Sequence, residues 1–193
     1  MDNSHMRLGE RPWLSRLRDN SMNSNRNSAD HLRHVMQRGE KDCVFATAAM
    51  IADISYEIAV RRSPIAVKKQ RGLYSNEVLR VLEAVTGVRW RGPGFAWWRP
   101  LFRLSLGIHP VAVVIRRPWR WATLHCIALY QDIVYDPEYP GGCSIEMYQR
   151  RHWRVVQIYR PTDAERLLMV REYRARQRAE VIAILRRRAR LFI

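Results

Sequence analysis

Gln37-Arg-Gly-Glu-Lys-Asp-Cys43-Val-Phe-Ala-Thr-Ala-Ala-Met50 is the stretch from which the rest of the chain is read. Ala46, Ala48, Ala49, Met50, Ile51 and Ala52 favour a helix, and their small side chains let it lie deep in a core. Cys43 stands at the start of that helix. A helix N-terminus stabilises an anion, so a cysteine there is placed as a nucleophile. Gln37 precedes it by 43 − 37 = 6 positions, with a turn expected at Arg38-Gly39. Its amide and the backbone N–H of Cys43 are the candidate donors to a developing oxyanion.

Working outward, Ser55 is expected to cap a short helix through Tyr56, Ile58 and Val60. Ser75 is expected to cap an amphipathic helix carrying Val78, Leu79, Leu82 and Val85, which Gly87 stops. Between Arg89 and Arg103 the mixture of Gly, Pro, Trp and Arg predicts a long loop. Ile108–Ile115, Ala122–Tyr130, Ile133–Asp136 and Val155–Tyr159 read as strands, with a tight turn at Gln131-Asp132. Helices followed by a run of antiparallel strands predict an α+β architecture with segregated layers.

A cysteine nucleophile needs a base, and the base needs an orienting acceptor. His125 lies in the second predicted strand, and Asp136 ends the next one across the turn. These two strands put histidine and aspartate side by side, opposite the cysteine helix. Cys126 points to the other face of its strand and reads as core. Cys143 follows Gly141-Gly142 in an expected turn. Taken singly, Cys43, His125, Asp136 and Gln37 read as a core cysteine, a core histidine, a strand end and a surface amide. Their joint spacing argues for catalysis.

The segments around Gln37 and Cys43, together with His125-Cys-Ile-Ala-Leu and Val134-Tyr-Asp136-Pro137, resemble the papain-like cysteine peptidases of the bacteriocin-processing type, which remove double-glycine leaders. The resemblance runs from about Leu32 to Pro161. It implies a papain-like fold, N-terminal helices packed on an antiparallel sheet, with Cys43 as nucleophile, His125 as base, Asp136 as orienter and Gln37 in the oxyanion hole. Val44 stands where that family usually has glycine. No transporter segment follows, so a stand-alone enzyme is expected. The same residues serve a deamidase or an acyl transferase acting on a protein side chain. A non-catalytic binding module with Arg-rich surfaces is the reading from a different class.

The 193 residues divide into a flexible polar arm (1–31), the peptidase domain (32–161) and a basic C-terminal helix (162–193). Thr162 with Glu165 forms a capping-box pattern at the start of that helix. Lys and Arg number 34 against 18 Asp and Glu, a formal charge of +16, which predicts attraction to anionic partners. From Asp163 to Arg190 there are nine Arg against four acids, so an acidic protein or an anionic surface is the expected partner of the helix, beside the peptide or protein substrate. Trp119 and Trp121 lie just before His125 and are expected to border the substrate cleft. Without a recognised nucleic-acid motif, nucleic acid is not expected as a partner. Three cysteines at long spacings argue against a zinc site or a disulfide framework, and no metal or cofactor is called for. The start of the chain lacks an apolar signal region, and Leu104–Ile115 falls short of the roughly 20 residues of a membrane span. A cytoplasmic protein is expected.

Overall fold

The computed structural model describes residues 31–67, 72–95, 99–104, 109–117 and 124–190. The expected arm falls on residues 1–30, and Trp119 and Trp121 also lie outside the described residues. The architecture is α+β. Helix α1 is Cys43–Ala52, α2 Tyr56–Arg62, α3 Ser75–Thr86 and α4 Ala164–Arg190. Strands β1 (Trp90–Phe95), β2 (Val111–Arg116), β3 (Leu124–Tyr130), β4 (Ile133–Tyr135), β5 (Gly142–Ser144) and β6 (Arg154–Pro161) form one antiparallel sheet in the order β1-β6-β2-β3-β4-β5.

All ten side chains of α1 are buried, as its small apolar sequence requires. Val44 is among them, packed into the core under the helices. The helix ends at Asp53, which takes a left-handed conformation (φ 57°) and donates its N–H to the carbonyls of Ala49 and Met50. Ser55 then caps α2, accepting from the N–H of Ile58.

Both faces of the central sheet are covered. Ala112, Val114, Cys126, Ala128, Tyr130 and Tyr159 pack under α1 and α3. Val113, Ile115, Ile127, Leu129 and Val155 form a second core with Leu101, Ile145 and Tyr148. Burial on both sides is why β2 and β3 read as continuous apolar runs instead of alternating ones. The turn between β3 and β4 uses Gln131 (φ 50°) and Asp132 (φ 61°), both left-handed, as a two-residue hairpin with matching twist requires.

Several expectations are corrected. The stretch expected to be loop from Arg89 contains β1, paired with β6 at the sheet edge, where proline is tolerated. Trp90 is a core residue whose indole N–H donates to Thr86 Oγ1 at 2.9 Å. The expected turn at Gly141-Gly142-Cys143 turns only at Gly141, and Gly142–Ser144 is the edge strand β5. Ser75 is the first residue of α3 and not its cap: Tyr74 holds that position, and the Glu77 carboxylate accepts from its N–H at 2.8 Å. At α4, Asp163 accepts from Arg166 N–H at 2.8 Å, whereas Thr162 reaches across to the Arg89 carbonyl. His31, the last residue assigned to the arm, is already tied to the body through Tyr135 and Arg171.

The first part of α4 is bolted to the end of α1. Arg174 donates to the Ala52 carbonyl and Arg178 to that of Asp53, and Arg178 also pairs with the Asp53 carboxylate. Cations there satisfy carbonyls that lack helical partners and complement the negative end of the dipole.

Candidate active site

Cys43 opens α1 where the helix meets the first residues of β3. Its thiol accepts from the Cys126 backbone N–H at 3.4 Å. The preceding Asp42 is buried but does not cap the helix. Its Oδ2 instead accepts from Arg38 N–H (3.1 Å), Gly39 N–H (3.0 Å) and Tyr56 Oη (2.5 Å), which folds the Gln37–Asp42 loop into a fixed bend. The uncapped positive end of α1 therefore faces the thiol.

His125 is the second residue of β3, directly opposite Ile115, and only 5% exposed. Its Nε2 is 2.7 Å from Asp136 Oδ1. That bond fixes the ring through Nε2 and leaves Nδ1 unused by Asp136, on a strand whose next residue, Cys126, binds the Cys43 thiol. Burial pulls the imidazole pKa down, but the hydrogen bond to Asp136, and next the influence of the nearby Cys43, outweigh it and raise the value to about 9.

Asp136 follows β4 and is buried. Besides His125 it accepts from the Glu138 N–H at 2.8 Å, the Tyr148 hydroxyl at 2.5 Å and Arg150 Nη1 at 3.2 Å. Burial pushes its carboxyl pKa up; the bond from His125, helped by those from Tyr148 and Glu138, more than offsets this and holds it below the ordinary range. The Tyr148 phenol is driven up by burial and by the Asp136 charge, so it stays a donor. His34 closes the network by bonding the Asp136 carbonyl at 2.7 Å.

Gln37 is held beside this group by its N–H, which donates to the Pro137 carbonyl at 2.9 Å. Its Nε2 points at Glu138 Oε1, 3.3 Å away. The same carboxylate lies 3.7 Å from His125 Nδ1, and Arg150 grips its other oxygen. A carboxylate oxygen of Glu138 thus sits between the Gln37 amide and the imidazole. Arg150 is itself clamped between rings, 4.7 Å from Trp153 and 4.9 Å from Tyr139.

Cys43, His125 and Asp136 are therefore brought together, and Gln37 joins them through Glu138. Sequence reasoning missed Glu138, Tyr148 and Arg150. The signal available was the density of polar groups just after Asp136-Pro137, which a strand end alone does not need. Cys126 is core, its thiol pKa raised by burial. Among the described residues no group of three or more His, Cys, Asp or Glu is arranged to hold a metal ion. No single described helix is long and apolar enough to cross a membrane.

Compared with protein-family models, curated proteins and solved structures, the chain matches none.

Proposed function

We propose that this chain is a thiol hydrolase of papain-like fold that cleaves an amide bond in a peptide or protein, similar to the bacteriocin-processing peptidases. The observation that carries the reading is the 2.7 Å bond from His125 Nε2 to a buried Asp136, with the Cys43 thiol seated at the start of the same strand through its bond from the Cys126 N–H. A core histidine needs no such buried carboxylate beside a helix-start cysteine.

His125 Nδ1 takes the thiol proton, and Cys43 Sγ attacks the carbonyl carbon of the substrate. The resulting oxyanion is met by Gln37 Nε2 and the Cys43 N–H once Glu138 has withdrawn toward Arg150. When the tetrahedral adduct collapses, the C–N bond breaks and His125 returns its proton to the leaving amine. Water, deprotonated by His125, then attacks the thioester. Its oxygen ends in the product acid, and the proton returns to Cys43. Asp136 holds the ring orientation and stabilises the imidazolium throughout. The same steps on a side-chain amide release ammonia, so a new N-terminus among the products identifies a peptidase and ammonia a deamidase.

The test is alkylation of Cys43 by iodoacetamide at neutral pH, read by mass spectrometry on wild type and His125→Ala. Loss of about tenfold or more in labelling rate in the variant is expected. Equal rates would mean that Cys43 has no base, and the reading would fail.

A further inference from the structure

Before Ala179, two arginines of α4, Arg166 and Arg176, are exposed, and the other three hold the helix to the body. Arg171, Arg174 and Arg178 face the body, bonded to the carbonyls of His31, Ala52 and Asp53. Beyond Arg178 the helix leaves the body: every described side chain from Ala179 to Ala189 is exposed. The free end, 179–190, extends about 18 Å at the usual helical rise. Arg186, Arg187 and Arg188 make no ion pair or hydrogen bond among the described residues.

This free end is not uniformly polar. Val181, Ile182, Ile184 and Leu185 are between 46% and 59% exposed. At about 100° per residue they fill one arc of roughly 160°. Arg187 lies on the opposite side, and Arg186 lies outside the arc, about 40° beyond its Ile182 edge. Arg188 falls among the aliphatic residues near the helix end, where its long stem can run along them and keep its head in water.

We propose that residues 179–190 of α4 lie in the interface of an anionic lipid bilayer, aliphatic arc inward and arginines at the phosphates. Three partners compete for such a helix, and chemistry separates them. Nucleic acid rewards the arginines but leaves four aliphatic side chains in water. A second copy of the chain would bury the aliphatic arc but set the Arg186–Arg188 cluster against itself on a chain of formal charge +16. An anionic lipid surface accepts both halves: hydrocarbon takes the aliphatic arc and the headgroups take the cations. Because α1 is locked to the root of α4 by Arg174 and Arg178, the docked helix would fix the body relative to the membrane.

The test is co-sedimentation of the full chain with vesicles of phosphatidylcholine alone or mixed with phosphatidylglycerol, at low and high salt. Binding is expected to the anionic vesicles only and to weaken with salt. Arg186→Glu with Arg187→Glu should lower it by about thirtyfold or more, and Leu185→Asp by about tenfold or more. These positions are exposed, and unchanged circular dichroism verifies that the variants fold. Cys43→Ala should bind like wild type, because lipid binding does not depend on the thiol chemistry. Failure to bind anionic vesicles, or binding that survives both sets of substitutions, overturns the proposal. So does capture of single-stranded RNA or an acidic polypeptide, or dimerisation of the chain, without lipid binding.

Discussion

Asp136→Asn isolates what the buried carboxylate does for its histidine. The asparagine keeps the size and can still accept from His125 Nε2, but it carries no charge. In the wild type the imidazole is raised from 6.5 to about 9. That difference corresponds to about 3 kcal/mol at 1.36 kcal/mol per unit. That figure is the net of burial, which opposes it, and of Asp136 and Cys43, which supply it, so it is not Asp136's share alone. The lowered Asp136 carboxyl is the same interaction seen from the other partner and is not added. With the charge removed, burial is opposed by Cys43 and by the Glu138 carboxylate 3.7 Å from Nδ1, and His125 should titrate well below 9, toward its ordinary value of about 6.5. The folded value lies above the unfolded one. The stabilisation is therefore complete below about pH 6.5 and is lost as pH rises through about 9. Wild type should lose up to about 3 kcal/mol of unfolding free energy across that window from this group, whereas the variant should change by less than about 1 kcal/mol. The assay is an NMR titration of labelled histidine, with the His125 signal assigned by its loss in His125→Ala, run beside urea unfolding at the two ends of the window. A His125 midpoint that stays near 9 in the variant, or equal pH slopes in the two proteins, would refute the role given to Asp136.

Glu138→Gln should raise the rate of Cys43 alkylation and of peptide hydrolysis about threefold to tenfold, because Gln37 would no longer be held by a charged acceptor; steady-state kinetics that instead fall as far as in Asp136→Asn would put Glu138 among the working residues. Tyr148→Phe removes the 2.5 Å bond to Asp136 Oδ2 and should cost about 1–3 kcal/mol in urea unfolding. Gly92→Ala should cost about 1–3 kcal/mol, since its φ is 148° and a Cβ there would lie 2.9 Å from the Ile158 carbonyl oxygen. Gly94→Ala, where the same oxygen is 3.6 Å away, is the control and should cost clearly less by thermal unfolding.

What was legible in the sequence followed strong local signals. The Asp42-Cys43 pair before an unbroken small-apolar run could only open a buried helix. The Gln131-Asp132 turn fixed which strand lies beside which, and so brought Asp136 to His125. The residues that refine the site gave no such signal. Glu138, Tyr148 and Arg150 lie in irregular chain, where no period of 2 or 3.6 applies and position comes from tertiary bonds alone. β1 was hidden for a different reason. Gly92, Pro93 and Gly94 break the alternation expected of a strand, yet an edge strand needs hydrogen bonds on one side only. The cap of α4 was displaced by one residue because the Thr162 hydroxyl is turned away to donate to the Arg89 carbonyl, and the Asp163 carboxylate accepts from the helix N–H in its place.

The two halves of the site differ in how far apart along the chain their parts lie. His125 and Asp136 are 11 residues apart, joined through a single tight hairpin. The bond between Cys43 and the start of β3 spans 83 residues and requires α1 to seat on the finished sheet. Local hairpins close in microseconds, while distant contacts must first meet the entropy of a long loop. During folding the imidazole–carboxylate pair is thus ready before the sulfur arrives. On the proposed reading, an emerging or partly unfolded chain carries a cysteine still separated from its base, and the thiol becomes reactive only once α1 has docked on the sheet.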